Sequence, residues 1–333
     1  MSPSAMLNMS SAGAPRPSVL VTGASGFVGQ ALVRLFVKQG FPVQGGVRSA
    51  SSPLPEGATR LILGDVSNKF ARMPALEGFE VVVHCAARVH RMEDGKAGSL
   101  AAYRAVNRDA SVRLAREAAA VGVRRFVFLS SIKVNGEATE PGAPFRADRP
   151  PSPRDAYAQS KYEAEVELAK VAAETGMELV IVRPPLVYGP GVKANFLTML
   201  RWVDSGWPLP LGSVENRRSL VFIDNLVDLV SLTATHPDAA GRTFLVSDGE
   251  SLSTAALLRR CAEAMHRPST LLRVPPRWLH AVAVAVGRTT WANRLFSSLE
   301  VEIEPTRKVL GWNPPIGVDE ALVRTAQDFL LRK

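Results

Sequence analysis

From Ser18 onward, short runs of β-branched and other apolar residues alternate with longer stretches whose apolar positions recur three and four apart. Runs of the first kind read as strands buried on both faces, and stretches of the second kind as crossover helices between them. The expected strands are Ser18–Thr22, Phe41–Val47, Thr59–Leu63, Val81–Cys85, Arg125–Ser130, Glu178–Arg183 and Thr243–Val246. The clearest helical stretches are Phe27–Gln39, Tyr103–Val121 and Tyr157–Thr175. This order predicts an α/β fold, a doubly wound parallel sheet with helices on both faces. After Arg183 the pattern breaks into Pro- and Gly-rich segments, Pro184–Gly191 and Trp207–Gly212, which marks a smaller mixed α/β substrate-binding part at the C-terminal side. The expected division is a flexible tail over 1–17 and a dinucleotide-binding domain over 18–190, to which 217–248 returns. Residues 191–216 and 249–333 form the substrate-binding part.

Composition narrows the function classes without naming one. The 333 residues are 46% hydrophobic and 21% charged, ordinary for a globular chain able to build a large core. Cys85 and Cys261 lie far apart, so neither a disulfide framework nor a metal site is expected, and a reducing cytoplasm fits. The net charge of +9 favours anionic partners, but no run of like charges and no aromatic–basic interleaving occurs, so no nucleic acid is expected. The tail lacks the basic and apolar regions of a secretory signal. No membrane span is expected either: the most apolar stretch, Trp278–Val286, is too short and reads as a buried or interfacial helix. Glu140–Pro153 is a Pro-rich surface loop placed to cover a site. Trp207, Trp278, Trp291 and Phe296 are expected in the core, with pocket lining as the alternative.

Chemistry enters at the first turn. Thr22 ends a strand, and Gly23, Gly26 and Gly29 follow before an amphipathic helix. Such a turn allows a tight bend, close approach of backbone N–H groups to a pyrophosphate, and close helix–strand packing. A Rossmann-type arrangement follows, with Gly23, Ser25, Gly26, Phe27, Val28 and Gly29 bordering the cofactor. The second strand ends in Arg48 and hydroxyls where an acidic residue would grip ribose hydroxyls, which points to NADP, with NAD as the alternative. Asp65 and Val66 would lie near the adenine, although Asp65 could equally cap the next helix. His84-Cys-Ala86-Ala87 would line the cofactor with small side chains.

Tyr157 and Lys161 are i and i+4 on one helix, so phenol and ammonium share a face, and a nearby cation would favour the phenolate needed for proton transfer. Ser130 and Ser131 end a buried strand at the edge where such sheets bind ligands, and Ser131 could hydrogen-bond a substrate carbonyl.

Together, Gly23-Ala-Ser-Gly26-Phe-Val-Gly29, His84-Cys-Ala-Ala87, Val106-Asn107, Ser130-Ser131 before Val-Asn-Gly136, and Tyr157-x-x-x-Lys161 resemble the extended short-chain dehydrogenases, the NAD-dependent epimerase/dehydratase family. The resemblance covers 18–330. It implies Ser131 as substrate positioner, Tyr157 as acid/base and Lys161 as partner of the phenol and the nicotinamide ribose. It also implies Asn107 as a support near the cofactor, Pro184 against the cofactor, and Arg88 and Lys133 on the substrate side. Arg183-Pro-Pro-Leu-Val-Tyr188-Gly-Pro-Gly191 and Asn216-Arg217-Arg218 resemble the nucleotide-sugar enzymes of that group. There an arginine meets the substrate diphosphate, a role for which Arg217 and Arg218 compete, while Asn195 would bind the nucleotide or sugar.

The sequence is also similar to bacterial 4-epimerase-like and 4-keto reductase enzymes of surface-polysaccharide synthesis. Ile132-Lys133 stands where dehydratases carry Asp-Glu, which argues against dehydration. Arg48 favours net 4-keto reduction of a UDP-(N-acetyl)-6-deoxyhexosamine, with a UDP-hexose 4-epimerase retaining NAD and a reductase of a non-sugar ketone as alternatives. A non-catalytic dinucleotide sensor is the reading from another class. A homodimer packed through the helices bearing Asn107 and Tyr157 is implied by the same resemblance.

Overall fold

A computed structural model describes residues 16–66, 76–89, 100–285 and 295–333; the first part of the tail and Trp291 lie outside the described residues. The strands are β1 (Val19–Thr22), β2 (Val43–Val47), β3 (Thr59–Ile62), β4 (Val81–His84), β5 (Arg125–Leu129), β6 (Glu178–Arg183), β7 (Leu186–Tyr188), β8 (Arg218–Phe222), β9 (Thr243–Leu245) and β10 (Ser251–Leu252). A seven-stranded sheet runs β3-β2-β1-β4-β5-β6-β9, with every pairing parallel. This is the Rossmann-type sheet, and all seven expected strands lie in it. A second, three-stranded sheet has the order β10-β8-β7.

Alternation along the buried strands feeds two cores. Val19, Val21, Val81, Val83, Val127, Val180 and Val182 pack on one face, and Leu20, Val82, Phe126, Phe128 and Ile181 on the other. The first face is covered by α1 (Phe27–Lys38) through Leu32, Val33 and Phe36. The second is covered by α2, which comprises Leu100–Tyr103, a π-helical turn Arg104–Asp109 and Ala110–Ala120, and by α3 (Ala156–Thr175). Asp155 caps α3, accepting the Ala158 N–H at 2.7 Å, and Gly176 ends it at φ +77°. The sequence predicted an unbroken helix over Tyr103–Val121. The π turn widens it where Asn107 faces inward with no exposed surface.

The remaining helices are α4 (Ala194–Asp204), α5 (Ile223–Thr235), α6 (Thr254–Ala264), α7 (Pro276–Ala285), α8 (Glu304–Leu310) and α9 (Val318–Leu331). Helix α5 packs beside α1, and β9 returns the chain to the large sheet. Phe145, in the Pro-rich loop, bridges Val301, while Arg218 of β8 bridges Leu299, so this loop is strapped beside the small sheet. Crossovers leave β1 in opposite directions toward β2 and β4, which opens a crevice at the carboxyl ends of these strands. No helix among the described residues is long and apolar enough to cross a membrane.

Candidate active site

The glycine turn sits in that crevice. Gly23 adopts φ +67°, and a Cβ there would lie 2.7 Å from the Ala86 nitrogen; one on Gly29 would lie 2.1 Å from the Gly23 carbonyl oxygen. The Gly26 N–H donates to Gly23 O at 2.9 Å, and Gly26 caps α1 without a side-chain hydrogen bond. Gln30 N–H to Gly26 O is the first bond of the helix, and the Gln30 amide donates to Ser25 O at 3.0 Å. The N–H groups of the first turn, including those of Phe27 and Val28, and the positive end of the helix are therefore left for an anion. A dinucleotide pyrophosphate fits these N–H groups, and a side chain at Gly23 or Gly29 would collide with Ala86 or Gly23 and displace the turn that presents them.

Around the turn, Ala86 and Ala87 are partly buried beyond β4, Arg48 is exposed beyond β2, and Asp65 is exposed beyond β3. Val66 is partly buried, and its carbonyl accepts from Arg113 Nη2 at 3.0 Å.

Asn107 clamps backbone and does not face the crevice. Its Oδ1 accepts the Arg88 N–H at 2.8 Å, and its Nδ2 donates to Arg88 O at 3.1 Å and Ser160 Oγ at 2.9 Å. Ser160 Oγ in turn donates to Tyr157 O at 2.7 Å. Both Nδ2 hydrogens are thus used by protein, and Asn107 braces the Arg88 loop against the Tyr157 helix. Behind it, His84 Nε2 lies 2.8 Å from Ser111 Oγ, whose own proton goes to Asn107 O, also at 2.8 Å. Nε2 must therefore donate, and Nδ1 accepts from Thr22 Oγ1 at 2.6 Å. Burial, helped by the Lys161 charge, pushes His84 down to about 3, so the ring is neutral.

Ser131, Tyr157 and Lys161 come together at the carboxyl end of β5. Ser131 caps a short 3₁₀ turn, Ile132–Val134, and its Oγ accepts the Lys133 N–H at 3.3 Å. The Ser131 hydroxyl acts on the Tyr157 phenol beside it, favouring its ionised form. Burial pushes that phenol up to about 12 against the Ser131 bond, with Asp155 and Tyr103 adding to the rise. Lys161 lies one turn on from Tyr157 in α3. Its Nζ donates to Leu129 O at 2.8 Å and stands 4.3 Å over the Phe128 ring, and burial lowers it to about 8.

A buried ion pair beneath the site escaped the sequence reading. Glu165, one turn beyond Lys161, accepts from Arg183 Nε at 2.9 Å and from Ser130 Oγ, while Arg183 Nη1 donates to Asn135 Oδ1 at 3.0 Å. Both charged groups are almost wholly buried. The pair ties α3 and β6 to the Ser130–Asn135 turn, and Pro184 O holds that turn by accepting the Ile132 N–H at 2.9 Å. The only available signal was an Arg ending an apolar strand.

The expected substrate side is mixed. Arg88 stacks 5.7 Å over the Tyr103 ring, which meets Tyr157 edge-on at 6.2 Å. Lys133 is paired with Asp155 and Glu137, so its charge fastens the Ser131 turn to the start of α3 in place of the expected substrate contact. Asn195 is exposed at the start of α4, beside Phe196, which stacks on Tyr188 at 5.0 Å. Arg217 is exposed and donates to Glu300 at 2.7 Å. Arg218 is partly buried, donates to Ser297 O at 3.0 Å, and is held below its ordinary pKa by burial. Phe296 packs on the core, whereas Trp207 and Trp278, expected in the core, are exposed.

The model of the NAD dependent epimerase/dehydratase family matches residues 19–247. A UDP-glucose 4-epimerase of Vibrio cholerae is 44% identical over 315 residues, covering 94% of this chain and 95% of that protein. Among solved structures, the Thermotoga maritima UDP-glucose 4-epimerase with UDP-glucose superposes with a TM-score of 0.76 at 21% identity, covering 95% of this chain and 99% of that one. The Bacillus cereus UDP-glucuronic acid 4-epimerase in complex with NAD has a TM-score of 0.74 at 18% identity, covering 95% and 99%. These two show the shared fold.

Proposed function

The chain belongs to the NAD-dependent epimerase/dehydratase family, and on that premise we propose that it moves a hydride at C4 of a UDP-activated sugar, with 4-epimerisation as the net reaction. The observation that carries this reading is the convergence of Ser131, Tyr157 and Lys161 at the carboxyl end of β5, set beside a glycine turn whose first-turn N–H groups suit a pyrophosphate. When bound, the nicotinamide supplies the hydride acceptor and donor.

As its phenolate, Tyr157 takes the C4 hydroxyl proton as the hydride leaves, and the phenol so formed returns that proton to the new alkoxide. Ser131 donates to the same oxygen and holds the phenol in line. Lys161, lowered to about 8 by burial, is held against Leu129 O on the same face of α3 as Tyr157, where its positive charge favours the phenolate. Epimerisation requires the 4-keto sugar to turn over and receive hydride on its other face. Arg217 is committed to Glu300. Arg218 is therefore assigned to the substrate diphosphate, since an anion would offset the burial that disfavours its charge.

By this reading, 18–190 with 217–248 forms the dinucleotide-binding part, and 191–216 with 249–333 the substrate part. A homodimer through α2 and α3 belongs to the same proposal. The family and its NAD-bound neighbours favour NAD as cofactor.

Arg48 favours a second reading. It is exposed at the end of β2, where a carboxylate would select NAD, and an arginine suits a 2′-phosphate and an exchangeable NADPH. Net 4-keto reduction would follow. Incubation with UDP-hexoses and UDP-N-acetylhexosamines, alone and with NADPH plus a UDP-4-keto sugar, separates the two. Epimers formed without added reductant support 4-epimerisation. NADPH consumption only with the 4-keto sugar supports reduction, and inertness with every UDP-sugar contradicts both.

A further inference from the structure

Helix α7 carries Arg277, Trp278, Leu279, His280, Ala281, Val284 and Ala285, and no side chain described in it is buried. Only Leu279 packs against the core. Trp278 is 64% exposed and Val284 49%. The strand-like segment before the helix extends the surface. Leu271 bridges Leu209, and Thr270 Oγ1 donates to the carbonyls of Gly206 and Trp207, which places Trp207, 76% exposed, on the same ribbon as Leu272, 53% exposed. Exposing two tryptophans and two aliphatic side chains in one stretch is costly in water and needs a partner.

The charge around this surface selects the partner. From Ala264 to Leu299 the sequence contains no Asp or Glu, yet it carries Arg267, Arg273, Arg277, Arg288 and Arg294, more than half of the net charge of +9. Arg267 is paired with Asp204, whereas Arg273 and Arg277 are exposed and make no ion pair among the described residues. A second copy of the same surface would bring arginine against arginine. An apolar helix with tryptophan and flanking arginines instead matches the boundary of an anionic bilayer, where indole rings sit at headgroup level and guanidinium groups meet phosphates. The apolar run Trp278–Val286 is too short to span a bilayer, so its fit is in the plane of the surface.

We propose that α7, with Trp207, Leu272, Trp278, Arg273 and Arg277, docks this protein on the surface of a membrane rich in anionic phospholipid. None of Ser131, Tyr157, Lys161 and Arg218 belongs to this surface, so docking gives the enzyme a location and adds no step to its chemistry.

The test is co-sedimentation of the full chain with vesicles of phosphatidylcholine alone or mixed equally with phosphatidylglycerol. The expected result is binding to the anionic vesicles that weakens with salt, falls by about tenfold or more in R273S/R277S, and is abolished in W278E, with nicotinamide-nucleotide binding unchanged in both variants. Failure to sediment with anionic vesicles overturns the proposal. So does binding that W278E leaves intact, or a vesicle-independent dimer that W278E splits, which would make this face a contact between copies of the chain.

Discussion

Ser131 lies beside the Tyr157 phenol, and its hydroxyl works against the burial that pushes the phenol up to about 12. Replacing Ser131 by Ala removes the opposing contact. The apparent pKa of the group that must deprotonate for C4 oxidation should therefore move upward, with kcat falling about 100-fold or more, as expected for loss of an acid–base positioning contact. A pH–rate profile of Ser131→Ala checks this; a profile superimposable on that of the unaltered enzyme would assign the phenol's environment to other groups.

Gly29 offers a direct test of the glycine turn. An Ala there would place Cβ within 2.1 Å of Gly23 O, whereas the positive-φ Gly40 has open space around it. Gly29→Ala should lose nicotinamide-nucleotide binding and cost about 1–3 kcal/mol through overpacking. Gly40→Ala should cost only backbone strain, roughly 1–2 kcal/mol, and leave binding intact. Cofactor titration with denaturant unfolding distinguishes them.

Glu165 and Arg183 are buried against one another, so Glu165→Gln leaves a guanidinium uncompensated and should cost about 3–5 kcal/mol. The half-exposed Lys133–Asp155 pair should be worth only about 0.2–1 kcal/mol when broken by Lys133→Met. Urea midpoints of the two variants should differ in that order, and equal losses would contradict the assignment of the buried pair.

His84 makes acid stability a reporter of its network. Its folded pKa is lowered from 6.5 to about 3, so between these values the unfolded chain binds the extra proton. The stability it contributes is complete above pH 6.5 and is lost as pH falls toward 3. Unfolding free energies measured across that window should fall less steeply in His84→Gln than in the unaltered protein.

The large sheet was legible because its strands are nearly continuous in apolar residues and bounded by Gly, Pro and polar clusters, a local signal. The Gly23–Gly29 turn and the Ser131–Tyr157 pairing could be read for the same reason: short spacing on elements of known direction. What escaped depends on contacts distant in sequence. The π turn that drives Asn107 inward adds a residue without disturbing the apolar pattern of α2. The inward course of Lys161 is set by Leu129 O and the Phe128 ring, and the loss of Lys133 to Asp155 joins two separate elements. Trp207 and Trp278 were expected inside on hydrophobicity alone, which cannot distinguish a core from an exposed apolar face.

The central claim is that Tyr157 moves the C4 proton of a UDP-sugar. Tyr157→Phe keeps the ring and its edge contact with Tyr103 while removing only the hydroxyl. With the sugar nucleotide that the unaltered enzyme turns over, this variant should bind cofactor normally and transfer hydride at least 100-fold more slowly. Near-normal hydride transfer by Tyr157→Phe, with cofactor bound, would contradict the account.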